Sequence, residues 1–149
     1  MKNLIRFLSI FMILLTCCQQ NLEKREKDVF IKAIEQLKID GKYQWIVVLP
    51  GLGCHGCIQE GEYFMQNNIE DQRILFVLTK VSSLKILQQK TEVRIDEHAN
   101  IYVDREDLFN IPTNNAIYPC VIQMKKRKFI SHSFQNSANK AIRKLREQL

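Results

Sequence analysis

No apolar run in the chain approaches the about 20 residues that a membrane-spanning helix requires, which argues against a mature transmembrane anchor. No internal repeat or low-complexity stretch is visible, so a repeat architecture has nothing to be built from. The basic stretches, Lys125-Lys126-Arg127-Lys128 and the C-terminal Lys140, Arg143, Lys144 and Arg146, lack the interleaved aromatics that stack bases. They read as a solvated hairpin tip and helix face, and no nucleic-acid partner is expected. Cys54 and Cys57 have no second Cys-x-x-Cys to complete a zinc site. His98, His132 and Cys120, which could nominally supply ligands, stand at no ligand-like spacing. Ile58 rather than a histidine follows Cys57, which excludes c-type haem attachment.

What is present bounds one domain. The 149 residues, 46% of them apolar, suffice for a single packed core. Removing the two cations Lys2 and Arg6 with an N-terminal segment lowers the formal charge from +6 to +4, a modest excess. That segment begins basic, continues from Phe7 to Leu15 with Ser9 the one polar interruption, and ends at Thr16-Cys17-Cys18. An h-region of this length suits an export signal. Leu14-Leu15-Thr16-Cys17, or Leu15-Thr16-Cys17-Cys18, resembles the lipobox of bacterial lipoproteins, although Thr16 or Cys17 stands where Gly, Ala or Ser is usual. We therefore expect a signal peptide over residues 1–17, with cleavage before Cys17 or Cys18 and either cysteine as the lipidated one. A polar tether over 18–27 and a domain over 28–149 follow. The resemblance implies a membrane-anchored lipoprotein of the bacterial cell envelope, facing the periplasm or the outside.

With Cys17 and Cys18 assigned to processing, Cys54, Cys57 and Cys120 belong to the domain. An exported chain meets an oxidising compartment, so a Cys54–Cys57 disulfide with Cys120 left over is the pairing to expect.

Along the domain, Val29, Phe30, Ala33, Ile34 and Leu37 recur at helical spacing and Asp40-Gly41 ends the helix. Tyr43 to Leu49 reads as a central strand and Arg73 to Thr79 as a second buried one. Between them, Cys54 to Asn68 is a helix with both cysteines in its first turn, and another helix runs from Ser82 or Ser83 to about Lys90. Ile101 to Val103 is a short strand and Asp104 to Asn110 a turn. Cys120 to Met124 and Lys128 to Ser131 form a hairpin, and Ser137 caps a last helix carrying Ala138, Ala141, Ile142 and Leu145. The order predicts an α/β fold, a three-layer α/β/α sandwich on a mixed sheet.

A Cys-x-x-Cys after a buried strand and at the opening of a helix has a chemical meaning. Unpaired N–H groups and the helix dipole favour negative charge there, and thiol pKa values at such positions fall from about 8.5 to ~3.5–7.5. Cys54 would be the nucleophile and Cys57 the resolving thiol. His55, when protonated, would tune the thiolate, and Gly56 completes the motif. The strand Trp45–Leu49, the Cys54-His55-Gly56-Cys57 motif and Tyr118-Pro119 before a strand together resemble the thioredoxin superfamily, and within it the TlpA-like exported thiol-disulfide oxidoreductases, over roughly residues 28–149.

That resemblance implies a thioredoxin-like sandwich and an enzyme of thiol-disulfide exchange with no cofactor and no metal. It makes Pro119, chosen over Pro112, a cis-proline facing the disulfide, and Tyr118 its neighbour in the substrate groove. A protein thiol or disulfide is the implied partner, met by a monomer. Three departures stand out: Gly53 replaces a frequent tryptophan, Gly56 a frequent proline, and Val48 the buried acid of thioredoxins themselves. The glycines Gly51, Gly53, Gly56 and Gly61 are expected to loosen the helix start. The alternative reading is a binding protein on the same fold, with the thiols and His55 holding copper(I), because soft thiolates select that ion. Cys120 is expected as a small buried hydrophobe, and His98 and His132 as surface residues.

Overall fold

A computed structural model describes residues 21–149, so the expected signal segment and the lipidation candidates Cys17 and Cys18 lie outside the described residues. Helix α1 covers 21–36 and is followed by β1 (Trp45–Pro50), α2 (His55–Asn68), β2 (Ile74–Thr79), α3 (Leu84–Thr91), β3 (Ile101–Asp104), β4 (Cys120–Lys125), β5 (Lys128–Phe134) and α4 (Ala141–Arg146). Single 3-10 turns stand at Ile95–Glu97 and Asn114–Ile117.

The five strands form one mixed sheet in the order β3-β2-β1-β4-β5. β1 pairs in parallel with β2, and β2 with β3, whereas β4 lies antiparallel to both β1 and β5. β1 and β2 are buried along their whole length, which is why they read as continuous apolar runs rather than alternating ones. Their side chains nevertheless alternate between two cores. Ile46, Val48, Leu75, Val77, Cys120 and Ile122 meet Phe30, Ala33 and Ile34 of α1. Trp45, Val47, Leu49, Phe76, Leu78 and Val121 meet Phe64 and Met65 of α2, Leu87 of α3, and Ala141, Ile142 and Leu145 of α4. Each large side chain so buried contributes about 1.5–3 kcal/mol against leaving it in water. The result is the expected three-layer α/β/α sandwich, compatible with a thioredoxin-like fold. Among the described residues no helix is long and apolar enough to cross a membrane.

β1 is shifted to Trp45–Pro50 from the expected Tyr43–Leu49, β5 runs on to Phe134 past the expected Ser131, and two further boundaries differ from expectation. Residues 21–27, expected as tether, belong to α1, and Glu26 is 3% exposed. The segment is polar, but one of its polar groups has buried partners. At the other end Ser137 caps nothing: α4 starts at Ala141, and the Ile142 amide donates to Gln135 Oε1 at 2.9 Å. Asn136 instead closes the preceding turn, accepting from the Ala138 and Asn139 amides at 3.0 and 2.7 Å. The expected turns do form. Ser83 caps α3 through the Ile86 amide, and Asp104 accepts from the Leu108 and Phe109 amides, each at 2.9 Å.

Candidate redox site

β1 ends between two paired strands, so the chain leaving it is delivered to the edge of the sheet at a fixed place. The Gly51 amide holds it to Thr79 of β2 at 2.8 Å. Gly53 then takes φ +148°, and any Cβ there would collide with the Ile117 carbonyl. Only glycine allows that approach. Cys54 follows as the N-cap of α2, its amide donating to Ile117 O at 3.1 Å and its carbonyl accepting from Ile58 at 2.9 Å. Cys54 and Cys57 are joined as a disulfide, with Cα atoms 5.3 Å apart. Both are half-buried, while His55 and Gly56 are exposed.

The first turn of α2 carries no acid to offset the positive end of its dipole at Cys54. The helix can sit close to the sheet because Gly61 faces it. A Cβ on Gly61 would lie 2.6 Å from Leu49 Cδ2 and 3.3 Å from Pro119 Cγ. Gly61 is thus a packing residue rather than a source of looseness, whereas Gly56 faces open space.

The expectations for Tyr118 and Pro119 are corrected. Among the described residues every peptide bond is trans, the Tyr118–Pro119 bond included, and Pro119 is buried against α2. Tyr118 packs on the α1 side of the sheet. Neither lines the cleft beside the disulfide. The residue of this loop that reaches Cys54 is Ile117, 43% exposed, whose carbonyl receives the Cys54 amide. Its one sequence signal is an apolar side chain stranded after Thr113-Asn114-Asn115.

A cleft of about 430 Å³ opens beside the sulfurs, with Cys54, Cys57 and Glu60 on one wall and Gln135, Lys140, Arg143 and Arg146 on the other. Gln135, which the sequence did not single out, links the walls. Its Nε2 donates to Glu60 Oε2 at 2.6 Å while its Oε1 holds the start of α4. No protein-family model, curated protein or solved structure matches this chain. The site is therefore read from its own geometry.

Other candidates are placed elsewhere. Cys120 is free and 2% exposed, and burial pushes its thiol pKa well up. Its neighbour across the strands is Val48, so no acid stands at that position. His132 is not a surface residue: its side chain is 6% exposed, ringed by Phe30, Phe129 and Phe134. Its Nε2 lies 3.0 Å from Glu26 Oε2, while Thr113 Oγ1 and Asn115 Nδ2 donate to Glu26 Oε1 at 2.6 and 2.8 Å. A charge beside aromatics gave no periodic signal in the sequence, and the partner loop lies far along the chain. His98 is partly buried, with Nδ1 3.9 Å from Glu70 Oε1. Among the described residues no group of three or more His, Cys, Asp or Glu side chains is placed to hold a metal ion.

Proposed function

We propose that the protein exchanges thiols and disulfides through Cys54 and Cys57. The observation that carries this reading is the position of the pair: a disulfide closed at the N-cap of a 14-residue helix, directly after a strand buried on both faces, with both sulfurs on an open cleft. A ring spanning three residues removes little entropy from the unfolded chain, so as a staple it would do little. As a redox centre it needs only a nucleophile and a resolver.

In the reductive direction the Cys54 thiolate attacks one sulfur of a substrate disulfide. A Cys54–substrate bond forms, the substrate bond breaks, and the first substrate thiolate leaves and is protonated from water. Cys57 then loses its proton and attacks Cys54 Sγ, closing the intramolecular disulfide and releasing the second substrate thiol. The substrate gains two electrons and two protons and the domain loses them; the oxidative direction is the reverse. The export-type N-terminus supports placing this chemistry in the bacterial cell envelope, on a lipid anchor at Cys17 or Cys18, where protein disulfides persist.

The test is a trap. Reduced C57S protein mixed with a disulfide-linked model protein is expected to accumulate a mixed disulfide through Cys54, stable on a non-reducing gel and cleared by dithiothreitol. C54S should form none. Absence of adduct with C57S, under conditions where the folded protein's Cys54 is alkylated, would overturn the proposal.

A further inference from the structure

The cleft beside the disulfide is lopsided in charge. Lys140, Arg143 and Arg146 recur every third residue, so they share one side of the last segment, and all three are exposed. They line the same cleft as Cys54 and Cys57. None of them is in an ion pair with a carboxylate among the described residues. The Arg146 guanidinium is held 5.7 Å over the Phe64 ring and 5.9 Å over Tyr63. The cleft's acid, Glu60, is already bonded by Gln135.

Three unpaired cations beside a reactive sulfur raise the local concentration of anionic partners and repel cationic ones. From position 140 to 146 the helical rise of about 1.5 Å per residue gives roughly 9 Å. Three extended residues at about 3.3 Å each cover the same length. Cations spaced over that length on exposed side chains match a short run of Asp or Glu, one carboxylate to each, better than they match the two charges of a small dianion. We infer that the cleft between α2 and α4 docks an acidic polypeptide segment that flanks the substrate's cysteine. This rests on the thiol-exchange reading for the chemistry, but the docking surface itself can be measured without it.

The experiment uses two peptide sets. In the first, a fluorescent peptide carries three Glu beside a serine, so it cannot exchange. By anisotropy at low salt it should bind roughly tenfold more tightly than the matched Gln peptide, since each exposed ion pair adds a few-fold at most. That preference should shrink with added salt and be lost in K140Q/R143Q/R146Q. K140Q/R143Q, which leaves Arg146 stacked, should lose most of it, while K125Q/K126Q/K128Q at the hairpin tip should keep it. Equal binding of the Glu and Gln peptides, or an undiminished preference in K140Q/R143Q/R146Q, overturns the inference. So does displacement by succinate at the peptide's own concentration, which marks a small-anion site. In the second set cysteine disulfides replace the serine. Equal exchange rates for Glu and Gln peptides would sink the inference and leave the exchange reading intact. Binding of the Glu-serine peptide without exchange by any peptide would do the opposite.

Discussion

Replacing Glu26 by alanine takes the acceptor away from three donors at once: Thr113 Oγ1, Asn115 Nδ2 and His132 Nε2, at 2.6, 2.8 and 3.0 Å. Thr113 and Asn115 are partly exposed and can turn to water, but the His132 side chain is 6% exposed and closed in by rings. Leaving a buried donor without its acceptor costs about 1–3 kcal/mol, a sizeable share of the ~5–15 kcal/mol that holds a domain together. Urea unfolding at about pH 7 should show that loss as a lower midpoint at constant slope, and the melting temperature should fall by roughly 10 °C. E26Q, which keeps an oxygen for Thr113 and Asn115, should lose about half as much.

The effect should also travel. Asn115 O accepts the Tyr118 amide at 3.0 Å, and the next carbonyl but one, of Ile117, receives the Cys54 amide. Hydrogen exchange at the Cys54 amide should therefore quicken in E26A. A cost below about 1 kcal/mol would refute the reasoning, because it would mean that the pair is not desolvated in solution. An E26A/H132F double variant that falls simply by the sum of its parts would refute it as well.

The glycines before and within the motif should behave oppositely. G56A, with open space around its Cβ, should gain about 0.5–1 kcal/mol in thermal or urea unfolding, whereas G53A should lose about 1–3 kcal/mol because of its φ and the Ile117 carbonyl. Cys120, held protonated by burial, should resist maleimide in the native protein, so that labelling rises by two thiols on mild reduction and by a third in denaturant. The Arg73 guanidinium, bonded to both Asp71 oxygens at 2.7 and 3.0 Å, holds that carboxyl below its ordinary pKa. The folded state then binds the proton less readily than the unfolded chain. The stabilisation is therefore present above about pH 4 and lost as pH falls through the depressed value. The stability gap between wild type and D71N, followed by urea unfolding across acid pH, should close in that direction.

The parts that were legible in the sequence are those where hydrophobic pattern alone decides. Trp45 to Leu49 and Ile74 to Leu78 are buried on both faces, and continuous apolar runs can do little else in a domain of this size. The motif's place after β1 followed from Gly51-Leu52-Gly53, which breaks regular structure just before Cys54. What was illegible depends on polar groups satisfied from far away. Glu26 and His132 stand 106 residues apart, and Gln135 and Glu60 stand 75 apart. Each reads locally as an ordinary solvated side chain. That is why residues 21–27 read as tether, and why the sequence offers Ser137 as the cap and gives no sign of Gln135. Pro119 misled for a related reason: a proline before a strand marks the loop, but which residue of the loop meets the Cys54 backbone is set by the fit of Gly53 against Ile117.

The central claim, that Cys54 and Cys57 form a redox centre rather than a staple, is tested most directly by the reduction potential of the purified protein. Equilibration against glutathione or dithiothreitol buffers, with the thiols trapped by alkylation, gives it. The account predicts a single two-electron transition between about −270 and −120 mV, where thiol-exchange centres lie. A potential below about −300 mV, the range of structural disulfides, would contradict it.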